Sequence, residues 1–206
     1  MARVHKSIMF LQPSDKINTL EWHKNYQLIF DDFSTAMDIG YHFDYKHEID
    51  ISNPKNLNTI KKQLTQTDYF WQVSPLIYNR EPIPFLPEKI KNCHTIKMLM
   101  DNNVKPIFAV FSVLAPHSEI DPHVDTDDEI VTGEKHIPWQ NRNNSIIKYH
   151  FGIDVPNDNY LVVNDNVKQI HENKLLCFDE TNIHYAYNQN DKKRGVLIVS
   201  YLKSEL

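Results

Sequence analysis

The sequence predicts a mainly β protein with flanking helices. Short β-prone runs separated by turns, about seven of them, fill residues 106–206. Residues 1–105 instead mix helical periodicity with proline-rich loops. With 41% hydrophobic and 24% charged residues over 206 positions, the composition is that of an ordinary globular domain. One domain is expected, with 1–105 forming a helical and loop part packed on a core built from 106–206.

The elements follow in order. Leu20–Met37 (LEWHKNYQLIFDDFSTAM) sets Leu20, Tyr26, Ile29, Phe30 and Phe33 at roughly helical spacing, which marks them as core residues. Ser52 or Asn53 opens a second helical stretch running through LNTIKKQLTQT. Pro75–Pro87 (PLIYNREPIPFLP) holds four prolines and reads as a tight, extended connector. CHTIKMLMDNN, 93–103, reads as a short helix. Strands are predicted over Ile107–Leu114, Ile146–Ile153, Tyr160–Val163, Val167–Ile170, Lys174–Phe178, His184–Tyr187 and Gly195–Leu202. Together they suggest an antiparallel sandwich or barrel. Between Thr126 and Ser145 lies a long polar stretch with Pro138 and Trp139, a length of loop that is uncommon unless it has a function.

The composition excludes several classes. There are only four glycines, and neither G-x-G-x-x-G nor G-x-x-x-x-G-K occurs. A net charge of −5 leaves no basic footprint for nucleic acid. No apolar run approaches the roughly 20 residues of a membrane span, and MARVHKSIMFLQPSDK is too polar for a signal peptide. Cys93 and Cys177 are far apart, and Cys177, in LLCF, reads as a small buried hydrophobe. A reducing, cytoplasmic location is expected.

Histidine stands out, with 11 in the chain. DPHVD contains His123-x-Asp125, whose alternate positions put both side chains on one face of an extended segment. Alone this pattern is weak. His184, on a later predicted strand, supplies a third candidate ligand. Two imidazoles and one carboxylate with open positions are the donor set of non-haem iron(II) oxygenases. Arg194 then opens the last strand. Its planar fork suits the far end of a dicarboxylate in a way that lysine does not. Lys148 and His150 share one face of IIKYHFGI, and Ser112 offers a further hydrogen bond. Lys192, Lys193, His117 and His136 read as solvent-facing, and His171 as a residue beside a turn. Asp179-Glu180 reads as a strand-ending turn rather than an acid–base pair. Trp139 is either a lid aromatic or a loop anchor.

FSVLAPHSEIDPHVD, IIKYHFGIDVP, ENKLLCFDETNIHYAYN and RGVLIVSY resemble, in order and spacing, the aspartyl/asparaginyl β-hydroxylase family of Fe(II)/2-oxoglutarate oxygenases. The resemblance implies a double-stranded β-helix, a jelly-roll relative. It implies that His123, Asp125 and His184 hold Fe(II) as the catalytic centre. Arg194 and Ser112 would hold the distal carboxylate of 2-oxoglutarate, with His150 near its chelating end. O₂ would be the oxidant, and succinate and CO₂ would be released. Asp125 is glycine in some members, and Lys148 stands where the peptidyl-aspartate enzymes carry the arginine that meets the substrate's acidic group. The substrate expected is a free amino acid or a peptidyl residue of Asp/Asn type, with Lys148 as the candidate contact and no nucleic-acid or membrane partner. The alternatives are a non-catalytic jelly-roll binding module and a zinc-dependent hydrolase using the same ligands.

Overall fold

The computed structural model describes residues 10–44, 70–124 and 146–206. The stretch after Ser52 expected to be helical lies outside them, as do Asp125, the 126–145 segment, His136 and Trp139.

Among the described residues of the second half, eight strands follow one another: β5 (Phe108–Leu114), β6 (Ser118–Glu119), β7 (Ile146–Asp154), β8 (Asn159–Val163), β9 (Asn166–Gln169), β10 (Leu175–Asp179), β11 (His184–Asn188) and β12 (Arg194–Leu202). Their pairing is nested and antiparallel. β5 pairs with β12, β6 with β11, β7 with β10, and β8 with β9. It is a long hairpin folded over on itself, and the chain crosses between two facing sheets as it winds. This order is the double-stranded β-helix. Each predicted strand of 106–206 is present within a residue or two; β6, only two residues long, carried too little pattern to be read.

Earlier segments widen the larger sheet. These are β1 (Phe10–Leu11), β2 (Phe43–Asp44), β3 (Trp71–Tyr78) and β4 (Glu81–Pro82). Among the described residues the larger sheet runs β1-β10-β7-β12-β5-β3-β2, with β4 on β3, and the smaller runs β6-β11-β8-β9.

The proline-rich connector is therefore corrected. Its first residues continue a strand begun at Trp71. The ladder to β5 becomes irregular between Pro75 and Ile77, where the missing N–H is tolerated, and the Pro75 carbonyl accepts a hydrogen bond from Tyr41 Oη at 2.7 Å. Asn79 and Arg80, with φ of 48° and 68°, then turn the chain into β4. The N-terminal part thus supplies sheet as well as helices.

Both faces of the larger sheet are buried, and strand alternation sorts the side chains between them. On β7, Ile147, Tyr149, Phe151 and Ile153 pack toward the helices with Leu197, Val199 and Tyr201 of β12. Between the sheets, Val196 and Phe178 meet Leu161, Val163 and Ala186 of the smaller sheet. Lys148 and His150 alternate with the helix-facing set, so they point into the space between the sheets.

The helices are α1 (Thr19–Lys24), α2 (Tyr26–Asp38), α3 (Glu88–Lys91) and α4 (His94–Met100). The single helix predicted over 20–37 is broken at Asn25. Its N–H closes α1 on the Glu21 carbonyl at 2.9 Å, and its carbonyl accepts the first bond of α2 from Ile29 at 3.0 Å. The break resets the helical phase. Leu20 is 68% exposed, and the anchor is Trp22, fully buried with its ring 6.0 Å from both Tyr149 and Phe151. Ile29 and Phe33 are buried as expected.

Gly152 on β7 lies against the segment after β9: a Cβ there would run into the His171 carbonyl oxygen, a backbone atom that cannot swing away. Gly152→Ala is expected to cost about 1–3 kcal/mol, as overpacking does. Urea unfolding should show a lower midpoint at unchanged slope; an unchanged midpoint would mean that the two segments separate easily.

Candidate active site

A two-bond bridge sets His123 and His184 side by side. The His123 N–H donates to the His184 carbonyl at 3.0 Å, and the His184 N–H donates to the His123 carbonyl at 2.8 Å. The ring centroids lie 4.4 Å apart. Each Nδ1 meets the carbonyl oxygen two residues earlier: Asp121 at 2.6 Å for His123, and Asn182 at 2.9 Å for His184. A carbonyl only accepts, so both protons sit on Nδ1 and both lone pairs on Nε2. A carbonyl behind the ring is the usual support for a metal-ligating imidazole.

Burial lowers the His184 pKa to about 4, with the Lys148 charge adding to it, and burial also lowers that of His123. Both rings are neutral near pH 7, the form a metal binds. Among the described residues no group of three His, Cys, Asp or Glu side chains is arranged to hold a metal ion. The sequence's third candidate ligand, Asp125, lies outside them. The donor chemistry of the two imidazoles fits a first-row divalent metal.

Arg194 opens β12 opposite Leu114 and is 1% exposed. Its Nε and Nη1 have no hydrogen-bond partner among the described residues. Burial lowers its pKa only to about 10, so it remains a cation. The adjacent Lys192 and Lys193 are exposed, as expected.

Ser112, fully buried on β5, faces Val196 of β12, and its Oγ accepts from Trp71 Nε1 at 3.0 Å. That donor was not found from the sequence. The β-prone run WQVSPLIY was a signal for the strand, but nothing local ties its first residue to Ser112.

His150, on β7 opposite Ile198, is 6% exposed, and its Nδ1 has no partner among the described residues. Burial first, then Arg194, Lys148, His184 and His123, hold its pKa well below the ordinary histidine value. One interior is therefore shared by all five groups. Phe178 walls it, 5.3 Å from the His150 ring and 4.8 Å from that of His184.

Lys148 reaches Glu180 at 3.6 Å, with side chains 16% and 10% exposed. The turn expected at Asp179-Glu180 holds for Asp179, which accepts from Thr181 and Lys203. Glu180 instead is buried against Lys148. The sequence missed this, because a carboxylate next to a turn carries no mark of its direction. His117 points outward to Asp191 at 2.7 Å with its side chain 62% exposed. His171 is likewise exposed.

Two facing sheets with nested antiparallel pairing, and a pair of imidazoles at one edge, define a double-stranded β-helix. The chain belongs to the aspartyl/asparaginyl β-hydroxylase family, whose model matches residues 23–204. It is also 38% identical over 73 residues to an ornithine lipid ester-linked acyl 2-hydroxylase from Rhizobium tropici. That match covers 34% of this chain and 26% of the relative's length. Among solved structures, the plu4264 protein from Photorhabdus luminescens aligns with a TM-score of 0.40 at 11% identity, covering 68% of this chain and 81% of that one. A predicted oxalate decarboxylase from Thermotoga maritima aligns at 0.38 and 12% identity, covering 64% and 80%.

Two measurements probe the interior. A buried guanidinium with unpartnered nitrogens is a stability cost. Arg194→Met should therefore leave the metal-free protein as stable as wild type, or up to about 1–3 kcal/mol more stable; a large loss would show that the cation is structural. His150 binds a proton in the unfolded chain near pH 6.5 but resists it when folded. Its stabilising contribution is thus present above that pH and is lost as the pH falls toward the lowered folded-state value. Denaturation of the metal-free protein between pH 7.5 and 5 should show a shallower loss of stability for His150→Gln than for wild type.

Proposed function

We propose that the chain is an Fe(II)- and 2-oxoglutarate-dependent hydroxylase that acts on an unactivated C–H of an amino acid or a peptidyl residue. The observation that carries this reading is Arg194: a fully buried cation with two nitrogens lacking partners among the described residues, in the same interior as two metal-ready imidazoles. A dicarboxylate satisfies both ends at once. His123, His184 and, from the sequence, Asp125 would hold the iron. When bound, the metal supplies O₂ activation coupled to conversion of 2-oxoglutarate to succinate and CO₂.

The chain's own residues bind and orient. Arg194 offers its fork to the distal carboxylate, a charge-assisted contact about twice as strong as a neutral one. Ser112 Oγ already accepts from Trp71, so its own O–H is directed to a second acceptor, and the carboxylate fits that role. His150 presents Nδ1 toward the chelating end. Phe178, Val196 and Leu161 line an apolar interior, which strengthens these contacts by excluding water.

A second substrate reading, an acyl chain, is favoured by the name of the Rhizobium tropici relative. The charged Lys148–Glu180 pair within the site favours a charged substrate instead.

The test is an anaerobic titration of metal-stripped protein with Fe(II) and then 2-oxoglutarate, followed through the visible charge-transfer band of bidentate chelation. The band should form in wild type, vanish in His184→Ala, and need at least tenfold more 2-oxoglutarate in Arg194→Ala. Iron bound with no band would remove 2-oxoglutarate from the reading.

A further inference from the structure

We propose that Asn164 is the positioning residue for the His184 imidazole: its side-chain amide grips one end of the peptide group whose other end receives the His184 Nδ1–H. This deepens the metal-site part of the hydroxylase reading and rests on it.

Register brings Asn164 to this place. The β8–β11 ladder pairs Val163 with His184. The next rung would set Asn164 opposite Ile183, but there the chain turns. Asn164 and Asp165, with φ of 43° and 63°, are the two central residues of the hairpin between β8 and β9. Half of the rung survives, with the Asn164 N–H donating to the Ile183 carbonyl at 2.9 Å. The other half is made by a side chain. The Ile183 N–H donates to Asn164 Oδ1 at 3.1 Å, while the Asn164 carbonyl accepts from Asn166 Nδ2 at 2.9 Å. Ile183 is thereby held through both its N–H and its carbonyl.

The hydrogen-bond network fixes which way the amides face. The Ile183 N–H needs an acceptor, so Asn164 turns its oxygen there and its nitrogen to Asn182 Oδ1 at 2.6 Å. Asn182 Nδ2 in turn donates to the Asp179 carbonyl at 2.9 Å. A hairpin turn requires only the backbone conformation, which glycine also supplies. The reach of the Asn164 side chain to Asn182 and Ile183 is a separate feature, and one that the turn does not need.

The consequence for the site lies in a single peptide plane. The Asn182 C=O and the Ile183 N–H belong to the same planar group. Asn164 holds the N–H, and the C=O accepts from His184 Nδ1 at 2.9 Å. With the plane held, the carbonyl is aimed at the ring; it keeps the proton on Nδ1 and the lone pair on Nε2. A peptide whose N–H is hydrogen-bonded is also a stronger acceptor at its oxygen, and a stronger acceptor behind an imidazole makes it a more basic ligand.

The test uses the metal-free full chain, isotope-labelled for NMR, and then its titration with Co(II). In wild type the His184 ring should show the Nδ1–H form alone. The Ile183 amide should exchange slowly with solvent, although that residue is exposed. Asn164→Gly keeps the turn and removes the amide. It should mix in the Nε2–H form and weaken Co(II) binding about tenfold, the low end for a group that supports a ligand. Asn164→Asp retains an oxygen for the Ile183 N–H. The Asn182 amide can flip to donate to the new carboxylate, because the Asp179 carbonyl keeps the Asn182 N–H at 3.1 Å. This variant should restore the single ring form and most of the Co(II) affinity. Asp165→Gly, which loosens the same turn at an exposed residue, should change neither. Fast exchange at Ile183 in wild type, an unchanged ring and affinity in Asn164→Gly, an equal loss in Asn164→Asp, or the same loss in Asp165→Gly would each overturn the proposal. Wild type that takes up no Co(II) would instead remove the metal reading; the ring and exchange measurements need no metal and test Asn164 either way.

Discussion

The two backbone hydrogen bonds between His123 and His184 are the constraint on which the site depends. They tie the segment after β6 to the start of β11, and so hold together two histidines that are distant in the chain. The bridge continues the β6–β11 ladder, in which Glu119 pairs with Tyr187 and Ser118 with Asn188. Placement of the two imidazoles is thus a property of sheet register. A slip of one residue would turn either imidazole to the opposite face. The two rear carbonyls then fix the rings, so each imidazole is set in position, tautomer and direction.

The larger sheet supplies the counterpart. Its outer face is closed by α1 and α2 through Trp22, Ile29 and Phe33. A Cβ at Gly195 would meet the Phe33 ring, so the absence of a side chain there lets α2 lie close against the first turn of β12. With that face sealed, β12 and β7 can spend their inward positions on polar groups: Arg194 and Ser200 on one, Lys148 and His150 on the other. Burying them is costly. The cost is compatible with folding because the outer face of the same strands buries large apolar side chains.

The interior then divides by charge. Arg194 and Ser112 form a cationic, hydrogen-bonding part; Lys148 pairs with Glu180; Phe178 stands between His150 and His184. The fold provides the apolar interior between the sheets, and a few inward residues give it chemistry.

Much of this was legible in the sequence. Periodicity located the strands of the second half, because each alternates or runs apolar over a length that a helix would not use. His123, His184, Arg194, Ser112 and His150 were legible as types at a spacing, since the donor set and the fork are properties of the side chains. What the sequence by itself determined is therefore the strands, the fold class and the chemical inventory of the site. Only the tertiary structure decided the rest. It carried the strand from Trp71 through Pro75 and joined Trp71 to Ser112, broke the first helix at Asn25 and handed the core to Trp22, and buried Glu180 against Lys148. The physical reason is common to all three: the direction of a side chain at a strand end, a turn or a helix break is fixed by long-range pairing, and local sequence carries no term for that.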